Sequence, residues 1–316
     1  MSRADDRGSQ AASERNAAQQ VAEWQAGRRR RSLLAGGAVL VVIAVVVALV
    51  IARTASNNST AGTGATSRAS AAVTDGPIAD ALTSIPASTF SAVGAGPTSG
   101  ADAVNPLVPV SGTPLLTSGG KPEMLYVGAE YCPFCGAERW AMATALSRFG
   151  TFSGLHFIHS SSTDVYSNTP TLTFYGSTYT SPYLVFVPVE TTTVTDTTLQ
   201  APTSAQLALM NQYDAPPYVP SGDTGAFPFV DIGNRYITDG AQYLPSVLGS
   251  IVGPAPSHQA LTWAEVARDL RNPSSPVAQA VLGAANRITA AICKITNGQP
   301  GSVCASPAVT AVGSQI

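Results

Sequence analysis

The chain has 316 residues, of which only 11% are charged, and its formal net charge at pH 7 is −2. So few basic residues argue against nucleic-acid binding, which depends on positively charged surfaces. The length could hold two average domains, but the composition changes along the chain, and we expect only part of it to fold into a compact domain.

The N-terminal part of the chain has the features of a membrane anchor. Residues 1–32 are polar. Residues 33–52 are twenty consecutive residues without a charge, and about twenty apolar residues are needed to cross a bilayer core. Four arginines at positions 28–31 indicate a cytoplasmic N-terminus. A cleaved signal peptide is the alternative, although its apolar region is normally shorter and its leader rarely so long. We therefore expect a single-pass protein of the cell membrane with a cytoplasmic tail and a transmembrane helix.

Residues 53–105 are rich in Ala, Ser, Thr and Gly and contain few aromatic or charged residues. Such a segment cannot bury enough apolar surface to offset its ordering entropy, so we expect a disordered extracytoplasmic linker. As a coil it would reach about 40 Å. It is either a spacer that lets the domain move or a stalk with no other role.

The folded domain is predicted over residues 106–304, followed by a C-terminal tail at 305–316. A predicted strand over residues 124–129 leads into Cys132, and a predicted helix runs from Pro133 to about residue 148. Two cysteines separated by two residues at a strand-to-helix junction are typical of a redox motif. Cys132 falls near the helix N-cap, where the unpaired amides lower the pKa of a thiol, and Cys135 lies one turn further on as the resolving thiol.

The remaining elements follow from periodicity, capping residues and turn residues. Residues 155–160 are a second strand, which we expect to pair in parallel with residues 124–129 through a right-handed crossover. The other predicted elements are strands at 171–175 and 183–189, a helix at 203–213, a hairpin of 227–232 with 235–238 joined by Gly233-Asn234, and helices at 241–251, from Thr262 to 270, and from Pro276 onward.

Two short motifs carry a resemblance to known families. Residues 129–132, Ala-Glu-Tyr-Cys, resemble the Ala-Glu-Trp-Cys approach of thioredoxins, and residues 132–135, Cys-Pro-Phe-Cys, are similar to the Cys-Pro-aromatic-Cys centre of glutaredoxins. Residues 128–155 also resemble an uncharacterised, membrane-anchored thioredoxin-like family of actinobacteria and archaea, a domain of unknown function. This resemblance implies an α/β, thioredoxin-like fold with an inserted Ser/Thr/Tyr-rich region at about 161–215 and extra C-terminal helices, preceded by one transmembrane helix.

The resemblance also implies roles for individual residues. Cys132 would be the attacking cysteine and Cys135 the resolving one. Pro228 matches the cis-proline that faces the disulfide in thioredoxin-like proteins, so that an extended substrate could pair with the main chain of Phe227. The alternative is an ordinary proline with a trans bond at the start of a strand.

Tyr131 and Phe134 could form a hydrophobic rim that binds extended chains, and both belong to the predicted substrate-binding residues. Phe134 carries no positive charge, so we expect an intermediate redox potential rather than a very oxidising one. Thioredoxins carry a buried acid six residues before the first cysteine, and here that position is Tyr126, which puts a carboxylate proton relay in doubt. Cys132 and Pro228 are also 96 residues apart, which suggests an inserted subdomain or lid.

The pair Cys132 and Cys135 has two other interpretations, an inert structural disulfide and metal ligation. A tetrahedral metal site needs two further ligands at matching spacing. His156 and His159 are three apart on a predicted strand and therefore point to opposite faces. We expect neither a metal nor a cofactor.

Cys293 and Cys304 are separated by eleven positions near the C-terminus. In an oxidising compartment we expect a structural disulfide that fixes the tail to the last long helix. Closing a loop of that size stabilises a fold by about 2–3 kcal/mol in the chain-entropy model. A relay that passes electrons to Cys132 and Cys135 is the alternative.

The leading hypothesis is a membrane-anchored, extracytoplasmic thiol-disulfide oxidoreductase that exchanges disulfides with envelope or secreted proteins. Its redox direction would be set by a partner, which could be a quinone-linked membrane oxidoreductase. The rival hypothesis is a non-catalytic envelope binding or scaffold protein in which the Cys132–Cys135 disulfide is permanent. Tyr126 at the position of the missing acid favours this rival slightly, and the sequence does not identify a substrate.

Overall fold

The computed structural model describes residues 76–97, 105–221, 223–250 and 260–316. The predicted cytoplasmic tail (1–32), the predicted transmembrane helix (33–52) and the first part of the predicted linker lie outside the described residues. No helix within the described ranges is long and apolar enough to cross a membrane. These residues form a mixed α/β structure.

The helices are α1 (Gly76–Thr83), α2 (Ala87–Val93), α3 (Pro133–Leu146), α4 (Ser204–Tyr213), α5 (Trp263–Asp269), α6 (Pro276–Ile295), α7 (Gly301–Cys304) and α8 (Pro307–Gly313), with a 3-10 helix at Pro245–Leu248. The strands are β1 (Val108–Pro109), β2 (Thr117–Ser118), β3 (Lys121–Gly128), β4 (Thr151–Ser153), β5 (His156–His159), β6 (Pro170–Thr173), β7 (Thr178–Thr180), β8 (Val185–Glu190), β9 (Phe229–Ile232) and β10 (Tyr236–Asp239).

The main sheet is built around β3, whose residues from Met124 to Gly128 are all buried. On one side β3 pairs in antiparallel fashion with β9, which continues to β10 and β1. The last six residues of β3 pair in parallel with β8, whereas its first two pair in antiparallel fashion with β2. A strand that is hydrogen-bonded on both edges and covered on both faces is the most rigid support that a sheet can give to the loop after it.

The prediction that residues 155–160 pair in parallel with β3 is wrong. Strand β5 pairs with β6 in a separate two-stranded sheet, and β4 pairs with β7 in another. The partner that follows α3 in the main sheet is β8, which lies within the range 161–215 that we expected to be an insertion. The chain between α3 and β8 forms the two small sheets.

The predicted hairpin is confirmed in β9 and β10. Gly233 and Asn234 both have positive φ, 69° and 54°, as a type I′ turn requires. The ladder begins with Ile232 opposite Tyr236, so three residues connect the strands rather than two. The helix predicted over residues 241–251 is not formed, because a 3-10 turn that starts at Pro245 ends at Leu248, one residue before Gly249, which adopts a φ of 78°.

Helix α6 is the longest of the described helices and packs against α3 in the main core. Ser275 caps its N-terminus by accepting a hydrogen bond from the Ala278 N–H, and Pro276 occupies its first turn, as the sequence predicts. A disulfide joins Cys293, near the end of α6, to Cys304 in α7, with 5.6 Å between their Cα atoms.

Helices α1 and α2 fall within residues 53–105, where we expected a disordered linker. Their apolar residues Leu82, Phe90 and Val93 are buried in the main core. The Asn286 side-chain amide donates hydrogen bonds to the carbonyl oxygens of Phe90 (2.9 Å) and Gly94 (2.7 Å), which ties the segment to α6. These few anchoring side chains are enough to order residues 76–97 against the domain, although the average composition of the segment is typical of a linker.

Candidate functional site

Cys132 and Cys135 lie at the N-terminus of α3, directly after the central strand β3. Cys132 is the N-cap residue with φ −76° and ψ 122°, and Pro133 follows in the first turn. The Cys135 backbone N–H donates to the Cys132 Sγ at 3.4 Å, and the Ala129 N–H donates to the Cys135 Sγ at 3.5 Å. The extended conformation of the cap residue therefore aims its sulfur back at the unpaired amides of the helix.

The two thiols have pKa values shifted in opposite directions. Burial by itself would raise the pKa of Cys132, but the hydrogen bonds it receives from the Cys135 thiol and backbone N–H outweigh this, and the net pKa is lowered. Burial and the neighbouring Cys132 raise the pKa of Cys135 well above its usual value. The geometry thus favours ionisation of Cys132 over ionisation of Cys135.

The start of the hairpin lies beside the first cysteine. The Cys132 Sγ is 3.8 Å from the Phe227 carbonyl oxygen, and the Phe227–Pro228 peptide bond is cis. Tyr131 and Phe134 are partly buried and pack, together with Phe227, around the two cysteines. The structure therefore brings five of the six residues that we predicted for catalysis and substrate binding into one cluster, and the sixth, Pro228, follows Phe227 in the chain.

A loop formed by residues 161–168 partly covers this cluster. The Ser161 N–H donates to the Tyr131 carbonyl at 2.9 Å, and the Tyr166 ring contacts Phe134 edge-on with 5.7 Å between ring centroids. The Asp164 carboxylate opposes ionisation of Cys132 through its negative charge. Cys132 retains 6% of its surface exposed, so the residue is almost completely shielded from solvent.

A buried ion pair lies beneath the cysteines, and the sequence analysis did not identify it. Arg139 donates from Nε to the Glu190 Oε1 at 2.8 Å and from Nη2 to the Glu190 Oε2 at 2.7 Å, and both side chains are 0% exposed. Nη2 also donates to the Ala129 carbonyl at 2.7 Å. The available sequence signal was the position of Arg139, four residues after Cys135 and therefore on the same face of α3.

Three other titratable residues lie near the motif: Tyr126, Glu138 and Glu130. Burial raises the pKa of Tyr126 well above 10, so its phenol stays protonated at neutral pH. Glu138 accepts hydrogen bonds from the backbone and the side-chain amide of Gln242, both at 2.9 Å, and so serves the packing of the loop after β10. Burial also raises the pKa of Glu130, although hydrogen bonding to Thr173 and the charge of Arg139 oppose the shift.

The described residues contain no group of three or more His, Cys, Asp or Glu side chains placed to hold a metal ion. Cys293 packs in the main core, whereas Cys132 and Cys135 belong to a separate small cluster with Ala129. Among the described residues, the Cys293–Cys304 disulfide and the Cys132–Cys135 motif therefore belong to different packing clusters.

Comparison with known proteins identifies one family. The family described as "Domain of unknown function (DUF929)" matches residues 107–294, which is more than half of the chain. The matched range includes both cysteines of the motif, the buried ion pair and Pro228, but not α1, α2 or Cys304. No curated protein and no solved structure matches the chain.

Proposed function

The chain belongs to the DUF929 family of unknown function, and from the geometry around its two free cysteines we propose that it is a thiol-disulfide oxidoreductase with a thioredoxin-like fold. The observation that carries the proposal is the N-cap position of Cys132, whose Sγ accepts a hydrogen bond from the Cys135 backbone N–H at 3.4 Å. This bond helps to lower the pKa of Cys132, whereas burial raises that of Cys135. A nucleophilic thiolate beside a protonated resolving thiol is what stepwise disulfide exchange needs.

The arrangement of the main sheet supports the thioredoxin-like part of the proposal. Strands β8, β3, β9 and β10 are neighbours in that order, with β8 parallel and β9 antiparallel to β3. This strand order, with a Cys-Pro-Phe-Cys motif opening the helix after the first of the four strands in sequence, resembles the core of thioredoxin-like proteins. Strands β1, β2 and β4–β7 and the α1–α2 segment are additions to that core.

In the proposed reaction the Cys132 thiolate attacks one sulfur of a substrate disulfide. A mixed disulfide forms, and the other substrate sulfur leaves as a thiolate. Cys135 then loses its proton and attacks the Cys132 Sγ, which releases the second substrate thiol and leaves a Cys132–Cys135 disulfide. Two electrons pass from the cysteine pair to the substrate, and the same steps in reverse would donate the disulfide.

One charged group near the motif favours the ionised sulfurs in this reaction, and one backbone group could pair with the substrate. The Arg139 cation lowers the pKa of both cysteines, although it is a smaller influence than burial. The Phe227 carbonyl, 3.8 Å from the Cys132 Sγ, lies where the main chain of an extended substrate could align with the hairpin. Tyr131 and Phe134 would contact the apolar side chains of that substrate.

The cellular setting of the proposal rests on the sequence. The uncharged stretch 33–52 after four arginines supports a membrane anchor, with the redox domain outside the cytoplasm. Substrates would then be thiols or disulfides of envelope or secreted proteins. A quinone-linked oxidoreductase in the same membrane would be a suitable partner to reset the cysteine pair.

One observation favours the rival function, a non-catalytic envelope scaffold. Only 6% of the Cys132 surface is exposed, and the loop of residues 161–168 would have to yield to admit a protein substrate. In the scaffold the Cys132–Cys135 disulfide would be permanent, and the two small sheets would supply a contact surface.

A trapping experiment on the full-length chain separates the two functions. With Cys135→Ser, attack by Cys132 on a peptide disulfide should stop at the mixed disulfide, which non-reducing electrophoresis and mass spectrometry would detect. The matched control, Cys132→Ser, keeps one thiol but not the acidified one and should trap at least about tenfold less. Equal trapping by both variants, or none by either together with a wild-type pair that glutathione cannot reduce, would favour the scaffold.

A further inference from the structure

A cavity of about 200 Å³ lies at the opposite end of α3 from the cysteines. Helix α3 has 14 residues, so the two ends are separated by about 20 Å. The walls come from the α1–α2 segment, from the last turn of α3 and from the α7 region that the Cys293–Cys304 disulfide holds in place. All three walls consist of residues that the structure describes.

Arg148 lines this cavity and has no carboxylate partner among the described residues. Its Nη1 donates to the Asn286 Oδ1 at 3.0 Å and to the Thr289 Oγ1 at 3.2 Å. Burial lowers the pKa of Arg148 to about 10, which still leaves the side chain positively charged at neutral pH. A partly buried cation without a counterion is unusual, because desolvation is normally offset by a paired charge.

The hydrogen bonds of Arg148 explain its structural role and leave one edge of the guanidinium free. Nη1 donates its hydrogen bonds to side chains of α6. The face of the guanidinium lies over the Phe90 ring, with 4.5 Å between the guanidinium carbon and the ring centroid. The edge formed by Nε and Nη2 has no acceptor among the described residues. That edge presents two parallel N–H donors, which is the geometry that binds a carboxylate in bidentate fashion.

The rest of the cavity favours an apolar body on such a ligand. Leu82, Ile85, Phe90 and Val303 supply apolar lining. Four further lining residues carry hydroxyl groups that already donate to backbone carbonyls, namely Thr83, Thr144, Ser147 and Ser306, and Ser302 adds a neutral hydroxyl. Arg148 is therefore the group that would select for charge. A cavity of about 150 Å³ can hold benzene, so a six-carbon body is of suitable size.

We infer that the cavity binds a small organic monocarboxylate, whose carboxylate pairs with the Nε–Nη2 edge of Arg148 and whose hydrocarbon part packs between the α1–α2 segment and α7. This inference does not depend on the thiol chemistry. A Cys132→Ser variant should bind the carboxylate as the wild type does.

Isothermal titration of the purified full-length chain with hexanoate tests the inference. We expect saturable binding at one site, with hexan-1-ol and inorganic phosphate each binding at least about tenfold more weakly, because one lacks the charge and the other the apolar body. Arg148→Gln should lower the affinity for hexanoate by about tenfold or more and leave the affinity for hexan-1-ol unchanged. Arg148→Lys keeps the charge but loses the two parallel N–H donors, so it should lower the affinity for hexanoate by less.

Val303→Phe narrows the cavity, keeps the Arg148 cation, and should weaken hexanoate binding by at least about tenfold. It keeps the inference testable should Arg148→Gln fail to fold. In the wild type, hexanoate should also protect Arg148 from modification by phenylglyoxal, which peptide mapping detects without any variant. Equal affinity for hexanoate and hexan-1-ol, equal or tighter binding of phosphate, or an absence of protection would each overturn the inference.

Discussion

The buried Arg139–Glu190 pair provides the sharpest test of how this site is stabilised. Glu190→Gln keeps the shape of the side chain but leaves the Arg139 cation without its counterion at 0% exposure. Removing one partner of a buried pair costs about 3–5 kcal/mol of unfolding free energy, because the remaining charge is desolvated and unpaired. Two of the three hydrogen bonds that Arg139 makes go to Glu190, at 2.7 and 2.8 Å, so we expect the loss to lie in this range.

Replacing both partners should restore most of the lost stability. The Arg139 Nη1 has no hydrogen-bond partner among the described residues, so the native pair is not fully satisfied. The double variant Arg139→Met/Glu190→Leu removes both buried charges but leaves the Ala129 carbonyl without its donor, so it should be about 1–2 kcal/mol less stable than the wild type and clearly more stable than Glu190→Gln. Urea denaturation of the reduced chain measures the unfolding free energies of both variants and of the wild type.

The chain supplies a matched control in the Arg268–Asp269 pair, whose side chains are 69% and 25% exposed at a distance of 2.9 Å. Arg268→Met should change the unfolding free energy by less than about 1 kcal/mol, because solvent screens an exposed pair. A Glu190→Gln variant no less stable than Arg268→Met, or a double variant no more stable than Glu190→Gln alone, would refute the reasoning.

The same double variant distinguishes a tuning role of Arg139 from a purely structural one. Arg139 lowers the pKa of both cysteines through its charge, so its removal should raise the pKa of Cys132. The rate of iodoacetamide alkylation as a function of pH reports this pKa directly. An unchanged profile in a folded double variant would leave Arg139 with only a packing role.

Three further predictions concern other parts of the chain. Iodoacetamide at pH 8 should modify Cys132 before Cys135, because the pKa of the first thiol is lowered and that of the second raised; mass spectrometry that finds Cys135 modified first would contradict this order. Burial raises the pKa of Asp239 from 3.8 to about 8, so the folded state binds this proton more tightly than the unfolded chain, and stability is lost as the pH rises from about 4 to about 8. Asp239→Asn should reduce that loss in urea titrations across this range, and an unchanged pH profile would argue against a buried carboxyl. Cys304→Ser should lower the unfolding free energy by about 2–3 kcal/mol through the lost link to Cys293, and the difference should vanish in dithiothreitol.

Local features of the fold could be predicted from the sequence where one short segment determines the structure. The N-cap position of Cys132, the turn at Gly233 and Asn234, and the Ser275 cap of α6 each depend on a few neighbouring residues. Capping and turn preferences act over three or four positions, and the sequence displays them directly.

Strand pairing could not be predicted in the same way. Residues 155–160 and 183–189 are both β-favouring runs. No local sequence pattern indicates which of the two pairs with β3. The choice is made by burial over the whole domain: β8 forms a six-residue parallel ladder with β3, while β5 finds its partner in β6. The ordered α1–α2 segment escaped prediction for a related reason, since Leu82, Phe90 and Val93 are buried within a segment whose average composition suggests disorder.

The charged groups around the cysteines were the part of the site that the sequence predicted least well. Arg139 and Glu190 are 51 positions apart, and Asp164 comes from a loop that the sequence assigned to an insertion. Arg139 favours the Cys132 thiolate and Asp164 opposes it, so their effects on its pKa partly cancel. The hydrogen bonds from the Cys135 thiol and backbone N–H are what offset burial at Cys132. The asymmetry between the two thiols therefore arises mainly within the motif itself, and a substitution that shifts the Cys135 backbone should disturb it more than the loss of either surrounding charge.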